Sequence, residues 1–503
     1  MLMNTAKSAN NNKFNPGKIV IWLQCSILIA LVFFRLLNEQ FESQAESLVY
    51  PFCCLLCGLT VWSFWSWYIL TKSLFNPYLL FFLSAFLFNG GQALLEVFHL
   101  NENGILGDWG SSVGLLSDLS SAGILNALFL VILGLVSLHL GALLSLETVK
   151  ENNSLCSFDK QAFISRSKNS YVIGRRLLWI SLLPAIVTLQ KTISIVISSG
   201  YTSLYASENF FSATSVNAAP DILAAFLVPA SLFLVAGSKE KPKGRLISAT
   251  IILLYAITRF FLGQRNQAAM ALIAFAWIWH QLIRPLPQTL LLGTGSLMVF
   301  VVFPLIGAAR EAVGNERLSI NSLLETFSSI NNPGIAAISE MGGSVLTVFY
   351  TLQLVPNDRD FQMGADYLYA LFTLVPNVFG KLHPSVARGL PSNWLTEQVS
   401  PYFAASGGSY GFSFIAEAYL NFGWVGAPIA LALIGFMFAK FTLWAIRSND
   451  PAKMASVASF LSFFLFYARA ESSIIVRSLV WYSLLPYLGV CLLNRSSSKK
   501  LAR

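Results

Sequence analysis

Long apolar runs separated by short polar segments cover most of this chain. Each run holds roughly 17–25 residues, the length that an α-helix needs to cross the hydrocarbon core of a bilayer. We therefore predict an all-α, polytopic integral membrane protein with about twelve transmembrane helices. The first run is long enough to span, so we predict a retained helix and not a cleaved signal peptide. The predicted spans are residues 18–37, 47–70, 78–98, 124–146, 173–198, 221–237, 245–262, 267–283, 288–307, 425–446, 453–468 and 474–493.

The composition agrees with a membrane protein and gives no sign of a bound metal. Of the 503 residues, 55% are hydrophobic and 11% are charged, whereas an ordinary soluble domain has roughly 25% charged residues. Most cysteines fall inside apolar runs, where a thiol behaves as a small hydrophobic group. Cys53, Cys54 and Cys57 lack a second pair of ligands, so neither a zinc site nor a disulfide framework is predicted. No cofactor is expected.

The charged residues indicate how the helices are oriented. Lys and Arg concentrate in alternate connections, such as residues 150–176 and 239–245, whereas the other connections are acidic at Glu39, Glu102 and Asp108. Because positively charged connections stay in the cytoplasm, we predict that both termini are cytoplasmic and that the acidic connections face outward. The net charge of +9 then reflects membrane topology, and no nucleic-acid partner is expected.

One connection, residues 308–424, is much longer than the others and lies on the predicted outer side. It is too apolar for a disordered linker, and prolines separate predicted short helices at residues 323–338, 344–354 and 366–379. Long structured loops usually carry function. The predicted domains are an N-terminal transmembrane bundle (1–307), a large periplasmic loop (308–424) and C-terminal transmembrane helices with a cytoplasmic tail (425–503).

The last part of this loop carries a carboxylate in a glycine-flanked segment, SGGSYGFSFIAEAYLNFGWVG (Ser406–Gly426). Read as a helix, it places Ser413, Glu417 and Asn421 on one face, because these residues are four apart. A carboxylate at a membrane boundary is costly to keep, which makes Glu417 a candidate site residue. We expect its partners to be arginines from distant helix ends.

Two further residues of the loop can act as a base. Glu340 lies in ISEMGGS and His383 in KLHPSVARG, and a carboxylate or imidazole near neutral pH can accept a proton from an attacking hydroxyl group. The alternatives are an ion pair with an arginine for each glutamate and a structural contact for the histidine. For Glu471, which lies between Arg469 and Arg477, the ion pair is the favoured interpretation.

Arginine is far more frequent than lysine on the predicted outer side. A planar guanidinium group binds phosphate or carboxylate through two hydrogen bonds, whereas lysine suffices to orient a helix. Any single arginine can instead extend to lipid headgroups or pair with an acid, but as a set they predict an anionic ligand at the outer face. The arginines at helix ends are Arg259, Arg265, Arg310, Arg469 and Arg477.

Aromatic residues of the loop have two interpretations. Trp394, Tyr410 and Tyr419 can stack on sugar rings or form an aromatic belt at the membrane surface, and the belt is favoured. The sequence contains no P-loop, no GxSxG and no DxD segment. The sequence therefore argues against a nucleotide-driven pump and against a cytoplasmic-type glycosyltransferase that uses nucleotide sugars.

Three segments carry a resemblance to a known family: GQR (Gly263–Arg265), EMGG with the following TVFYTLQLVP (residues 340–356), and GGSYGFSFIAEAYLNFGWVG (Gly407–Gly426). With these segments the chain resembles the O-antigen and oligosaccharide repeat-unit polymerases of bacterial envelopes (Wzy-like). The similar elements run from about residue 250 to 440, and the first 220 residues share only the generic many-helix pattern.

The resemblance implies an enzyme at the periplasmic face of the bacterial inner membrane. It would transfer a growing glycan from its undecaprenyl-diphosphate carrier onto a new lipid-linked repeat unit, and so build O-antigen, capsule or exopolysaccharide. The implied fold is the GT-C-like class of lipid-linked glycosyltransferases, which needs no metal. The implied partners are the undecaprenyl-diphosphate-linked oligosaccharide, membrane lipid, and a chain-length regulator and flippase of the same pathway.

The resemblance also implies roles for the candidate residues. Guanidinium groups would stabilise the leaving diphosphate where water is scarce, in the order Arg265, Arg259, Arg310, Arg469 and Arg477. The base that activates the acceptor hydroxyl would be Glu417, then Glu340 and His383. The glycan would contact Tyr410, Tyr419, Trp394 and Asn421.

Two other functions are compatible with the sequence. An O-antigen ligase, which hands a finished glycan to a lipid A core, also has a large outer loop and arginines. A flippase or transporter would carry charged residues deep within its spans and often shows an internal repeat. Charges in the predicted spans are sparse and no repeat is visible, so we favour the polymerase.

Overall fold

The computed structural model describes residues 16–101, 104–106, 119–150, 160–205, 215–311, 321, 325, 327–377 and 380–501, and these residues form helices and no β-strand. Twelve helices in this part of the chain are long and apolar enough to cross a membrane. This confirms the predicted all-α, multi-pass architecture. The N-terminal helices are α1 (Pro16–Leu37), α2 (Ala45–Thr71), α3 (Pro77–Val97), α4 (Ser121–Lys150), α5 (Lys160–Ser199), α6 (Ser215–Ala224), α7 (Leu227–Ala236), α8 (Pro242–Phe261), α9 (Arg265–Leu282), α10 (Gln288–Leu297) and α11 (Phe303–Glu311).

The remaining helices include several short ones between residues 333 and 405. A π-helical turn (Met298–Val302) joins α10 to α11, and another (Ser478–Leu484) joins α20 to α21. The helices are α12 (Pro333–Gly342), α13 (Val345–Leu354), α14 (Ala365–Phe372), α15 (Pro384–Arg388), α16 (Pro391–Val399), α17 (Pro401–Ala405), α18 (Phe414–Ser448), α19 (Pro451–Phe464), α20 (Ser472–Arg477) and α21 (Leu485–Leu501).

The sequence-based spans and the observed ones differ at one element. Residues 267–283 were expected to span, and they form α9, but α9 is not among the twelve candidate spans. Residues 333–354 are a candidate span instead. The sequence placed residues 333–354 in the large loop as short helices, and the structure divides them into α12 and α13. The third short helix, predicted at 366–379, is observed as α14. Part of the first one, 323–338, lies outside the described residues.

Both α12 and α13 pack against the same ends of α3 and α4. The side-chain amide of Gln92 in α3 bonds to Ser339 of α12. A side chain at Gly123, near the start of α4, would collide with Phe349 of α13. The whole pair is therefore in contact with one end of the bundle, although its length and composition would allow it to cross a membrane.

The centre of the bundle is the pair α4 and α18, which run in the same direction. The ring of Phe129 packs on Trp424 at 5.9 Å between centroids, and further along both helices the backbone at Gly435 meets the carbonyl of Leu138. Glycine is needed at Gly435 because any side chain there would overlap that carbonyl oxygen. This close approach holds the start of α18 deep inside the protein.

Helix α18 begins earlier than the apolar run at 425–446 predicted. It starts at Phe414 and is interrupted at Gly423, whose φ of 63° is one that glycine adopts without strain. A side chain at this position would contact the ring of Phe361. The GGSYGF segment thus precedes a helix, and the residues around Glu417 form the first turns of that helix.

The bundle has two chemically different ends. One end, here called the Glu417 end, contains the start of α18, the last turns of α3, and the corner between α19 and α20. At the other end, here called the lysine-rich end, Arg166 pairs with the buried Asp450. Lys241 lies 3.9 Å from the ring centre of Tyr171 at the same end. Asp450 also caps α19, because its carboxylate accepts the N–H of Ala452 at 2.9 Å.

Candidate functional site

The Glu417 carboxylate lies in the core near the start of α18, and its residue is 0% exposed. Ser413 caps this helix: its hydroxyl oxygen accepts the N–H of Ile415 at 3.2 Å and donates its proton to Asn89 Oδ1 at 2.6 Å. These two bonds fix the first turn of α18 against α3. Glu417, one turn further on, is thereby held at a defined place in the bundle.

The partners of Glu417 come from the corner between α19 and α20. The backbone N–H of Ser472 lies 2.9 Å from both carboxylate oxygens, and the Ser472 hydroxyl donates to Oε1 at 2.6 Å. The Tyr467 hydroxyl donates to Oε2 at 3.2 Å. The expectation of arginine partners was therefore wrong. The first N–H groups of a helix have no partner within it and attract negative charge, so they can hold a carboxylate without the burial of a guanidinium group.

A polar seam, formed by Asn89 and Gln92 of α3, links Glu417 to α12. Asn89 donates to the carbonyl of Ala468 at 3.0 Å, in addition to its bond with Ser413. Gln92 donates to the carbonyl and the hydroxyl of Ser339, both at 3.0 Å. Sequence reasoning missed this seam. The segment FNGGQ could have revealed the seam, because it places two amide side chains inside an apolar run. Polar groups in a membrane helix need partners.

Arg265 and Glu340 form an ion pair next to this seam. The Arg265 side chain is 4% exposed, whereas that of Glu340 is 36% exposed. A second nitrogen of Arg265 donates to the carbonyl of Phe303 at 3.3 Å. The first-ranked diphosphate ligand and the second-ranked base candidate therefore lie in direct contact, and Glu340 directly follows Ser339 of the seam.

The other arginines near this pair are partly described. Arg259 donates to Gln264 across the turn at Gly263, and its guanidinium carbon lies 5.1 Å from the ring centre of Tyr255. Gly263 has a φ of 82°, which lets the turn bring Arg259 close to the start of α9. Arg310 belongs to α11, and its side chain lies outside the described part of the chain.

Asn421, a predicted glycan contact, is bonded within the protein. Its amide nitrogen donates to Asp366 Oδ2 at 3.0 Å and to the carbonyl of Glu417 at 2.8 Å, and its oxygen accepts the N–H of Asp366 at 3.3 Å. Asp366 in turn accepts the Nε–H of Arg388 at 2.9 Å. This buried cluster attaches α14 and α15 to the helix that carries Glu417.

Arginine and aromatic side chains also meet in the loop helices. The guanidinium carbon of Arg359 lies 4.4 Å from the ring centre of Trp394, and that of Arg388 lies 4.7 Å from Tyr369. Such stacking is favourable for a weakly hydrated guanidinium group. Burial lowers the pKa of Arg359. Trp394, a predicted glycan contact, thus has an arginine over one face.

Tyr410 and Tyr419, the other predicted glycan contacts, lie in the core. The Tyr419 hydroxyl donates to the carbonyl of Val355 at 3.3 Å. The ring of Tyr410 packs on Phe403 with 5.3 Å between centroids. Both rings belong to the packing between the loop and the bundle in this structure.

The remaining candidates occupy three separate places. His383 is buried, and its Nδ1 lies 2.7 Å from the hydroxyl of Ser385. Arg477 donates from Nε to the carbonyl of Thr373 at 2.7 Å. Arg469 lies against the glycine-rich segment before α18, because a side chain at Gly411 would approach Arg469 Nε to 3.4 Å.

Glu471 is a second buried carboxylate at the corner between α19 and α20. Its residue is 3% exposed, and its Oε1 accepts a bond from the Ser392 hydroxyl at 3.4 Å. Burial, with a contribution from the charge of Asp366, raises the pKa of Glu471 to about 7. No group of three or more His, Cys, Asp or Glu side chains among the described residues is arranged to hold a metal ion.

The structure gathers several of the predicted residues into two groups. One group is Arg265 with Glu340 and the neighbouring Arg259; the other surrounds Glu417 and includes the corner that carries Arg469 and Glu471. The Asn89–Gln92 seam joins the groups. His383 directly precedes the loop helix α15, and Trp394 lies in α16. The contacts described for these two residues include neither Arg265 nor Glu417.

The whole sequence was also compared with known proteins. The model of one family, described as O-antigen polysaccharide polymerase Wzy, matches residues 19–500. The chain belongs to the O-antigen polysaccharide polymerase Wzy family. Searches of curated proteins and of solved structures gave no match. The Wzy match runs far beyond the residues that carried the resemblance, and includes the helices that hold the polar seam.

Membership of the Wzy family has a chemical consequence for the site. A Wzy polymerase joins O-antigen repeat units, so the protein is a glycosyl-transferring polymerase as well as a multi-pass membrane protein. The Glu417 end supplies the two kinds of group that glycosyl transfer uses, namely guanidinium groups and buried carboxylates.

Proposed function

We propose that this Wzy polymerase transfers a growing glycan from undecaprenyl diphosphate onto a new lipid-linked repeat unit at the periplasmic face of the inner membrane. In this reaction a hydroxyl oxygen of the acceptor sugar attacks the anomeric carbon of the donor. The new glycosidic bond forms while the bond to the diphosphate breaks, and the bonding electrons leave with the diphosphate. The hydroxyl proton passes to a base on the protein.

The pair of the buried Arg265 with the partly exposed Glu340 is the observation that carries this proposal. A guanidinium group fixed by Phe303 and Glu340, and almost removed from solvent, is already in place to meet the charge that develops on a leaving diphosphate. Glu340 is partly exposed and neutralises Arg265 without substrate. A diphosphate that displaced Glu340 would find the arginine already oriented.

The charge at the two ends of the bundle supports the periplasmic placement. Lys241, Arg166 and the connections around them lie at the lysine-rich end, and positive connections are typical of the cytoplasmic side. The Glu417 end is the opposite end, so on this orientation it faces the periplasm. The same orientation gives two cytoplasmic termini.

The other candidate residues have roles that follow from this placement. Arg259 and Arg310 would extend the diphosphate site around Arg265, and Arg469 and Arg477 would add cations to it from the segment that carries Glu471. Glu417, Glu340 and His383 are the candidates for the base. The loop helices with Trp394 would border the glycan, and a chain-length regulator and a flippase would meet the protein within the membrane.

Deletion of the gene tests the proposed function. A strain that lacks the protein should carry lipopolysaccharide with a single repeat unit on each core, because ligation continues while polymerisation stops. The normal ladder should return when the wild-type gene is supplied. A core without any glycan would identify a ligase, and an unchanged ladder would contradict a polymerase.

A further inference from the structure

Two buried carboxylates, Glu417 and Glu471, meet at the corner between α19 and α20, but their surroundings differ. The Glu417 oxygens are occupied by the N–H and hydroxyl of Ser472 and the hydroxyl of Tyr467. Among the described residues, Ser392 is the other residue that donates a hydrogen bond to Glu471, through a long contact of 3.4 Å. Glu417 is therefore bound by two other residues, whereas Glu471 accepts one long bond from Ser392 and one from its own backbone N–H.

We infer that Glu417 is a positioning residue for the reaction and that Glu471 is the catalytic base. This assignment rests on the proposed glycosyl transfer, and it places a new residue, Glu471, ahead of the base candidates Glu417, Glu340 and His383. Glu471 takes the proton of the acceptor hydroxyl as the oxygen attacks the anomeric carbon, and the diphosphate departs with the electron pair of the broken bond. Glu417 holds the corner on which Glu471 stands.

The contacts of Glu417 explain why it positions and does not react. The residue is fully buried, and the Ser472 hydroxyl contacts its Oε1 at 2.6 Å. A substrate hydroxyl would have to displace this bond inside the helical core. Because Ser472 is the first residue of α20, the same bonds fix the backbone that leads directly to Glu471.

Glu471 is 3% exposed, so a substrate hydroxyl reaches it only when the element that covers it moves. Ser392 belongs to α16, a helix of nine residues in the loop, and short elements of this kind can shift to admit a ligand. The charged groups that act on Glu471 from packed elements are Asp366 of α14 and Glu417 of α18. Arg469 and Arg477 are the cations on its own segment. Its pKa of about 7 suits a base that works near neutral pH.

Arg469 lies two residues before Glu471 and supplies the complementary charge. Its guanidinium group lies beside Gly411 in the segment that leads into α18. The corner therefore presents a cation and a carboxylate together. If the bonds of Glu417 were lost and the corner moved, the Arg469 guanidinium group and the Glu471 carboxylate would both be displaced.

Glutamine substitutions separate the two roles. Glutamine at 417 can still accept from Ser472 through its oxygen, while its amide can donate to the Tyr467 hydroxyl. Each protein is reconstituted in liposomes that contain an undecaprenyl-diphosphate-linked repeat unit. Relative to the wild-type protein, we expect Glu417→Gln to slow chain extension by about tenfold or less. We expect Glu471→Gln to slow it by about a hundredfold or more. Glu417→Gln should also keep the wild-type pH profile.

Further variants serve as controls. Glu240→Gln changes an exposed glutamate at the lysine-rich end and should extend chains at the wild-type rate. Glu417→Leu removes the bonds and should fall well below Glu417→Gln. If Glu417→Gln is inactive while Glu471→Gln remains active, the assignment of Glu471 as the base is wrong but the proposed function stands. If the wild-type protein itself extends no chain, both the proposed function and the assignment of the base are wrong.

Discussion

Ser472 donates two hydrogen bonds to the carboxylate of Glu417, one from its backbone N–H and one from its hydroxyl at 2.6 Å. The bonds join the start of the last membrane helix to the first turns of α18. Tyr467, in the turn that follows α19, adds a bond at 3.2 Å. Helix α18, the turn after α19 and the start of α20 are therefore held at one carboxylate.

The hydroxyl bond of Ser472 should contribute measurably to stability. Ser472→Ala removes a hydrogen bond to a buried carboxylate, which typically contributes about 1.5–3 kcal/mol. We expect a lower midpoint of thermal unfolding in detergent. In the Glu417→Gln background the same substitution should cost less, because the acceptor is then neutral.

Ser448→Ala provides the matched control for this prediction. Ser448 lies near the other end of α18 and bonds within its own helix, to the carbonyl of Ala445 at 3.0 Å. Its loss should leave the unfolding midpoint nearly unchanged. Equal effects of Ser448→Ala and Ser472→Ala would show that the contact with Glu417 adds no stability.

Arg265 should be indispensable for polymer formation. Arg265→Ala removes the guanidinium group that pairs with Glu340, and a single electrostatic contact to a developing charge is typically worth about 10²–10³ in rate. We expect the lipopolysaccharide ladder to disappear while the protein remains in the membrane. Arg265→Lys should also fail, because lysine cannot make two parallel bonds to a diphosphate.

Helix α9 offers a control for Arg265 at its opposite end. Arg284 follows the helix and is exposed. Arg284→Ala therefore removes one positive charge, as Arg265→Ala does, but leaves the ion pair between Arg265 and Glu340 intact. This variant should give a normal ladder. A normal ladder from Arg265→Ala, at wild-type protein levels, would exclude Arg265 from the site.

The packing of α4 on α18 should tolerate no side chain at its closest point. A Cβ atom at Gly141 would overlap the carbonyl of Ala432, whereas one at Gly293 meets no atom within 4 Å. We expect Gly141→Ala to lower the unfolding midpoint and the amount of folded protein, since backbone must shift to admit the methyl group. Gly293→Ala should behave as wild type, and fluorescence-detected size-exclusion chromatography of both variants measures the difference.

Glu471 should give the stability a defined pH dependence. Its folded-state pKa, about 7, lies above the ordinary value of 4.5, so the folded protein binds this proton more tightly than the unfolded chain does. The contribution is fully present below pH 4.5 and is lost as the pH rises through 7. The unfolding midpoint should fall across this window in the wild type, and less so in Glu471→Gln. Parallel curves for the two proteins would contradict the raised pKa.

Much of the fold could be predicted from the sequence, because a membrane span has a strong local signature. Length and hydrophobicity alone define α1 to α3 and α19 nearly at their observed bounds. The sequence could not show that residues 333–354 pack on the ends of α3 and α4, because that depends on Gly91 and Gly342 meeting closely. Residues 413–421 were read as a helix from the sequence, but this helix was not joined to the span at 425–446, from which Gly423 separates it.

The site could be predicted by residue type but not by pairing. Arg265 and Glu340 were each singled out, yet nothing local indicates that they touch. The partner of Glu417 is in part a backbone N–H, which has no sequence signature at all. Asp366 became visible only through its contacts with Arg388 and Asn421, which fold back from distant segments.

The central claim is that this membrane protein extends a glycan on a lipid diphosphate, and reconstitution measures this most directly. Purified wild-type protein in liposomes should convert an undecaprenyl-diphosphate-linked repeat unit into a ladder of longer glycans and release undecaprenyl diphosphate for each bond formed. The Arg265→Ala variant should release none. Movement of the repeat unit across the bilayer, without chain extension or release of the carrier, would contradict the account.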